Sequence, residues 1–196
     1  MRDELVLRGE DGTVLPMDIA RWHAEPSDEE LDVLARVRPP AVDLGCGPGR
    51  HVVALNERGV PALGIDAAPA AVATARARGA LVLERSIFAR VPGVGRWGSV
   101  LLLDGNIGIG GDPISLLRRA RRLVRRDGNV LVEASSPGVA SKTLRVRVDR
   151  RGEQGPAFAW SVLSVDDIAA TAGAAELSVS DVWEGGGRWF SELAPA

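Results

Sequence analysis

The 196-residue sequence contains a single cysteine, a single lysine and no hydrophobic run long enough to cross a bilayer. One cysteine cannot close an internal disulfide, so a reducing, cytoplasmic setting is expected. The opening MRDELVLRGEDG lacks the apolar core of a signal peptide, and no membrane contact is expected. Of 24 basic residues only Lys142 is a lysine, a bias that fits GC-rich coding alongside the abundant Ala, Gly and Val. The net charge of −2 argues neither for nor against an anionic partner. With 45% apolar and 26% charged residues, the chain has the composition of one globular domain with room for a full core.

Hydrophobic periodicity alternates between strand and helix. An acidic lead, 1–38, ends in a helix that opens at the capping-box signature Ser27-Asp28-Glu29-Glu30 and stops before Pro39-Pro40. AVDLG then predicts a first strand, followed by a glycine loop and a helix over about 49–58. PALGID predicts a second strand, with a helix from Pro69 to Gly79, and ALVLE a third. SVLLLDG predicts a fourth strand, Asp112-Pro113 opens a helix to about Arg126, and GNVLVEASS is the fifth strand. Such alternation implies right-handed βαβ units and a parallel sheet. Past Pro137, KTLRVRVDR and GPAFAWSVL predict an inserted hairpin over 138–163. A helix starting at Ser164 and a second hairpin flanking Glu184 to Gly187 complete the chain. The expected fold is α/β: a Rossmann-like, open, mostly parallel sheet of the seven-stranded type. Helices cover both its faces, its C-terminal hairpin is antiparallel, and the inserted hairpin is small. Residues 39–135 form the cofactor-binding core and 164–196 the last helix and hairpin, all in one domain.

The stretch VDLGCGPGRH, 42–51, places Gly45, Gly47 and Gly49 at alternate positions between strand and helix. A plain turn needs one such glycine or two; three let the backbone approach a ligand closely. A Walker loop requires Lys-Ser/Thr after the last glycine, where Arg50-His51 stand. The dinucleotide fingerprint requires its third glycine at position 50, which weakens an NAD(P)-binding oxidoreductase and leaves it as an alternative.

The spacing Asp43-x-Gly45-x-Gly47-x-Gly49, with Asp66 ending the next strand, resembles motif I of the class I S-adenosylmethionine (SAM) methyltransferases. The resemblance covers about 27–135 well and the remainder more loosely. It implies SAM as cofactor, S-adenosylhomocysteine (SAH) as product, and a small-molecule acceptor methylated on oxygen or nitrogen rather than carbon. Loop amides at a helix N-terminus suit the carboxylate of the cofactor's methionine part. Asp43 suits its ammonium end and Asp66 the ribose hydroxyls, with Cys46 and Ala67 beside them. The family often carries an adenine-binding Asp at the end of strand three; Ser86 stands there, and Ile87 is expected to pack on the ring. Cys46 reads as a small apolar filler and His51 as a residue that rests on the helix surface or bonds locally.

Ligands in open α/β sheets lie beyond the carboxyl ends of the strands. The loop DGNIGIGGDP therefore offers Asp104 and Asn106 to the reaction centre, Asp104 also to the cofactor. His23, beside Trp22 in the lead, is a further candidate for base or substrate contact. Phe158 and Trp160 of the inserted hairpin are placed to wall an acceptor pocket, whereas Trp183 and Trp189 read as packing. No metal site is expected, because only Asp104 is well placed. The arginine run 118–126 reads as a solvated helix face, so nucleic acid is not the expected partner. A monomer or homodimer is expected, and a non-enzymatic SAM-binding module is a second alternative.

Overall fold

The chain opens with a β-hairpin where the acidic lead predicted none. In the computed structural model, which describes residues 5–196, β1 (Leu5–Gly9) pairs antiparallel with β2 (Val14–Met17); the first four residues of the expected lead, 1–4, lie outside those described. Asp11-Gly12 turns the hairpin: Gly12 has φ 85°, and Asp11 Oδ1 accepts the Thr13 N–H at 2.9 Å. Pro16 is tolerated because β2 lies at a sheet edge, where a missing N–H breaks no ladder. A short helix α1 (Ile19–His23) follows, then α2 (Asp28–Ala35) behind the expected capping box at Ser27.

The βα alternation then runs as the periodicity predicts. It comprises β3 (Ala41–Leu44), α3 (Arg50–Glu57), β4 (Ala62–Asp66), α4 (Pro69–Ala77), β5 (Val82–Glu84) and β6 (Trp97–Leu102). Next come α5 (Pro113–Leu123) and β7 (Val124–Ala134). Helix α5 ends three residues before the expected Arg126. Val124 is already extended and pairs with Trp97, so Arg125 and Arg126 belong to the strand rather than to a continued helical face. The inserted segment forms β8 (Lys142–Arg150), a two-residue β9 (Glu153–Gln154) and β10 (Phe158–Val162). Helix α6 (Ile168–Ala174) and the hairpin β11 (Leu177–Gly185) and β12 (Arg188–Pro195) end the chain.

Seven strands form one sheet in the order β11-β12-β7-β6-β3-β4-β5. The five strands from β7 to β5 are parallel, and β12 runs antiparallel to both its neighbours. Strand alternation splits the core between the two faces. Val42, Leu44, Val100 and Leu102 pack with Leu116, Leu123 and Ile168 of α5 and α6. Leu101, Leu103 and Phe190 pack with Val33, Leu55 and Val72 of α2, α3 and α4. Asp43, between Val42 and Leu44, consequently points to the α3 face.

The inserted hairpin does not stand alone. Its strand β8 pairs antiparallel with β1, making a second sheet ordered β10-β8-β1-β2 with β9 on the edge of β8. Leu7, Leu144 and Val146 form its apolar centre, flanked by Leu15, Met17 and Trp160. The lead and the insertion thus build one structure beside the carboxyl ends of the parallel strands.

Candidate active site

The glycine loop leaves β3 and enters α3 with Gly45, Gly47 and Gly49 all at positive φ (82°, 52° and 82°). Two of them are also sterically required. A Cβ on Gly45 would lie 2.8 Å from Asn106 Nδ2, and one on Gly49 2.9 Å from the Cβ atoms of Ala75 and Ala80. A Cβ on Gly47 would meet nothing within 4 Å, so the loop presents open space there. The expected cradle of free amides is not what the loop offers. The N–H groups of Gly45 and Cys46 donate to the Ile65 carbonyl of the neighbouring β4, and that of Gly49 donates to Cys46 within the turn. The Gly47 N–H donates to Asp66 Oδ2 at 2.8 Å, while Asp66 Oδ1 accepts the Ala68 N–H across the exposed Ala67.

Beneath the loop, Asp43 is buried and neither of its carboxylate oxygens has a hydrogen-bond partner among the described residues. His51 does not lie on the helix surface: it is buried, with Nδ1 3.6 Å from Asp43 Oδ2 and Nε2 3.9 Å from Glu30 Oε2. Cys46 packs against Gly64, and burial, reinforced by the charges of Asp43 and Asp66, pushes its thiol far up. That is the behaviour of a filler rather than of a nucleophile.

Arg50, which breaks the dinucleotide fingerprint, is the centre of a buried ionic network. Its guanidinium is bidentate on Glu30 of α2 and donates from Nη2 to both oxygens of Asp104 at 2.8 Å. Arg188 of β12 also binds Glu30, and clasps Glu133 of β7 at 2.9 and 2.6 Å. Glu133 accepts the Asp104 N–H at 2.6 Å as well. Arg21 of α1 approaches Asp104 Oδ1 at 3.3 Å. Burial alone would raise the Glu30 carboxyl, but hydrogen bonds from Arg50 and Arg188 outweigh it and hold the group at about 2. Burial likewise opposes the charge on Arg50 and Arg188; Asp104 and Glu30 for the first, and Glu133 and Glu30 for the second, more than offset it and raise both guanidinium groups.

This network fixes the loop after β6. Asp104 sits at φ 55°, a left-handed conformation that a non-glycine residue holds only when its surroundings enforce it. A 3₁₀ turn over Asn106–Gly108 follows. Asn106 does not reach into open space toward an acceptor: its Nδ2 donates to the carbonyls of Leu44 and Gly45 at 3.1 and 2.8 Å, tying this loop to the glycine loop.

Between the two sheets lies a cavity of about 500 Å³. Asp104, Gly105 and Asn106 form its floor with Glu133 and Arg188; Leu7, Met17, Arg21 and Trp22 come from the lead, and Trp160 and Val162 from the insertion. Trp160 takes the expected place in the wall, Phe158 supports it edge-on at 6.4 Å, and Trp189 lines the cavity rather than serving only as packing. His23 is not part of it. It ends α1 one residue beyond Trp22, is exposed, and among the described residues its carbonyl accepts from Arg78.

Beyond β5, Ser86 is exposed and its hydroxyl accepts the Phe88 N–H at 3.2 Å. The side chain of Ile87 is buried in the main core with Leu44 and Ile65, so it is not available to pack on a ligand ring. Phe88 is the aromatic face presented there, 48% exposed and close against Gly110. As a lone phenylalanine after an Ile it carried no sequence signal beyond its aromaticity. Arg119 of α5 holds this segment through the carbonyls of Ile87 and Ala89, and Arg118 binds the carbonyl of Ala174. Arg119 is therefore a structural clamp as well as part of the helix face, and Arg118, solvent-exposed as expected, also binds a backbone carbonyl.

No family model matches the sequence, and no curated protein matches it. Solved structures do match its fold. A SAM-dependent methyltransferase from Bacteroides fragilis in complex with SAH superposes with a TM-score of 0.80 at 20% identity, covering 100% of this chain and 89% of that one. SAM-bound CalS10, an amino pentose methyltransferase from Micromonospora echinaspora, gives a TM-score of 0.64 at 21% identity, over 89% of this chain and 92% of that one. DesVI from Streptomyces venezuelae gives 0.65 at 19%, over 92% and 94%. The chain has the fold of the SAM-dependent methyltransferases.

Proposed function

We propose that the protein is a SAM-dependent methyltransferase that acts on a small molecule bound between the two sheets. One observation carries this reading: the segment Asp104–Asn106 is shared, forming the cavity floor while bonding through Asn106 to the glycine loop. Donor and acceptor sites are thereby neighbours across a single rigid wall.

The residues present suit the cofactor. Asp66 is half-buried at a strand end, and open space lies above Gly47. The two orphaned oxygens of Asp43 provide negative charge beneath the loop. Asp66 would bind the ribose hydroxyls, Ser86 and Phe88 the base, and Asp43 would attract the ammonium end. When bound, the cofactor would supply an electrophilic sulfonium methyl group to a lone pair of the acceptor, leaving SAH. The chain's own contribution is orientation, which for such a displacement supplies much of the rate. Asp104, locked by Arg50, Arg21 and Glu133, positions the loop and is not a free base.

The reading includes a cytoplasmic monomer or homodimer with no nucleic-acid substrate, supported by the backbone-bound Arg118 and Arg119. No helix of the described residues is long and apolar enough to cross a membrane. Calorimetry with SAM, SAH and NADH tests the proposal. SAM and SAH are expected to bind and NADH not; stabilisation by NADH alone would overturn it. Tight SAM binding with no turnover across a broad acceptor panel would identify a binding module instead.

A further inference from the structure

The cavity between the sheets has an unequal hydrogen-bond inventory. Its carboxylates are taken. Glu133 is clasped by Arg188 and the Asp104 N–H, and Asp104 by Arg50. Asp18, exposed at the mouth, caps α1 through the Arg21 N–H. The cavity's donors are taken only in part: Arg188 and Asn106 are bonded within the protein, while Arg21 and three indoles keep N–H groups over. Arg21 has one charge contact, at 3.3 Å, and its Nε–H is buried without a partner among the described residues. Trp97 donates its indole N–H to the Pro92 carbonyl, whereas no protein acceptor among the described residues receives those of Trp22, Trp160 and Trp189. The hydroxyls of Ser135 and Ser136 serve either way.

The Arg21 side chain lines the cavity one-third exposed and holds its single charge contact only at 3.3 Å, so a ligand that brings a paired acceptor to the open guanidinium is favoured there. The planar guanidinium edge matches a carboxylate. Three of the chain's five tryptophans line the same space and offer flat apolar walls at low entropic cost. We propose that this cavity binds a planar aromatic carboxylate, its acid group on Arg21 and its ring among Trp22, Trp160 and Trp189. If the cavity is the acceptor site, as the proposed function has it, this anion is the methyl acceptor. Its acceptor atom is one with a lone pair at neutral pH, such as a ring or aryl nitrogen, because the cavity carries no uncommitted base among its described residues.

The test is calorimetry on the SAH-loaded full chain with 2-naphthoate and its neutral counterpart 2-naphthamide. Naphthoate is expected to bind at least about tenfold tighter than the amide, and Arg21→Gln to erase that preference. Equal affinity of acid and amide, a preference that survives Arg21→Gln, or no binding of either compound would each overturn the proposal. Should Arg21→Gln fail to fold, Val162→Trp, which fills the cavity from the second sheet, is expected to abolish naphthoate binding and retain SAH. Unchanged naphthoate binding in that variant would also overturn it. A parent chain that does not bind SAH would refute the methyltransferase reading, while the acid–amide comparison would still decide this one.

Discussion

Gly45 holds two loops in register by having no side chain. Its positive φ and its 2.8 Å clearance from Asn106 mean that Gly45→Ala both strains the backbone and pushes the asparagine off the Gly45 carbonyl. A loss of about 1–3 kcal/mol in stability is expected, with weaker SAH binding, read from urea midpoints and calorimetry. Asp66→Ala removes a charged acceptor instead. It is expected to raise the SAH dissociation constant roughly 10- to 100-fold, the equivalent of about 1.5–3 kcal/mol for hydrogen bonds to a charged group. A variant that bound SAH like the parent would remove Asp66 from the site. The placement of Asp66 at a strand end and of the glycines at a positive-φ turn was legible in the sequence, because both positions restrict residue type. Phe88 was not, since exposure at one position follows from tertiary packing alone. Arg50 was legible only as a missing glycine; its partners Glu30 and Asp104 lie 20 and 54 residues away.

Among the elements, α5 bears on the proposed cofactor site through the segment that follows β5. Arg119 holds the carbonyls of Ile87 and Ala89, and so sets the segment that presents Ser86 and Phe88. Arg119→Ala is expected to weaken SAH binding several-fold with a stability loss of only about 1 kcal/mol, the scale of a neutral-acceptor hydrogen bond; calorimetry and thermal unfolding separate the two effects. Helices α2 and α3 meet strand β12 at Glu30, and Glu30→Ala would leave two buried guanidinium groups without their common partner. The cost of breaking such a network is about 3–5 kcal/mol, measurable by denaturant unfolding. The parallel core was readable because each strand and helix carries its own period. The β1–β2 hairpin was not, although Asp11-Gly12 marks its turn. Its strands are only 5 and 4 residues long, and the strand that pairs with β1, Lys142–Arg150, is remote in sequence.

For the molecule as a whole, the ionic network sets an acid limit. The Glu30 carboxyl is held at about 2 in the fold against an ordinary 4.5, so below 4.5 the unfolded chain takes up the proton more readily. The contribution of Glu30 is complete above about pH 4.5 and declines as pH falls toward 2, a loss on the order of 3 kcal/mol. Urea midpoints at pH 7, 4 and 3 are expected to follow that slope in the parent, and Glu30→Gln to flatten it. The second sheet has a consequence for biosynthesis. β1 and β2 are translated ahead of the parallel strands, yet β1 waits for β8, and the Arg8–Asp149 pair that joins them spans 141 positions. Five of the seven strands of the larger sheet are made before β8 exists, so a nascent chain can build the glycine-loop side while the cavity between the sheets is still open.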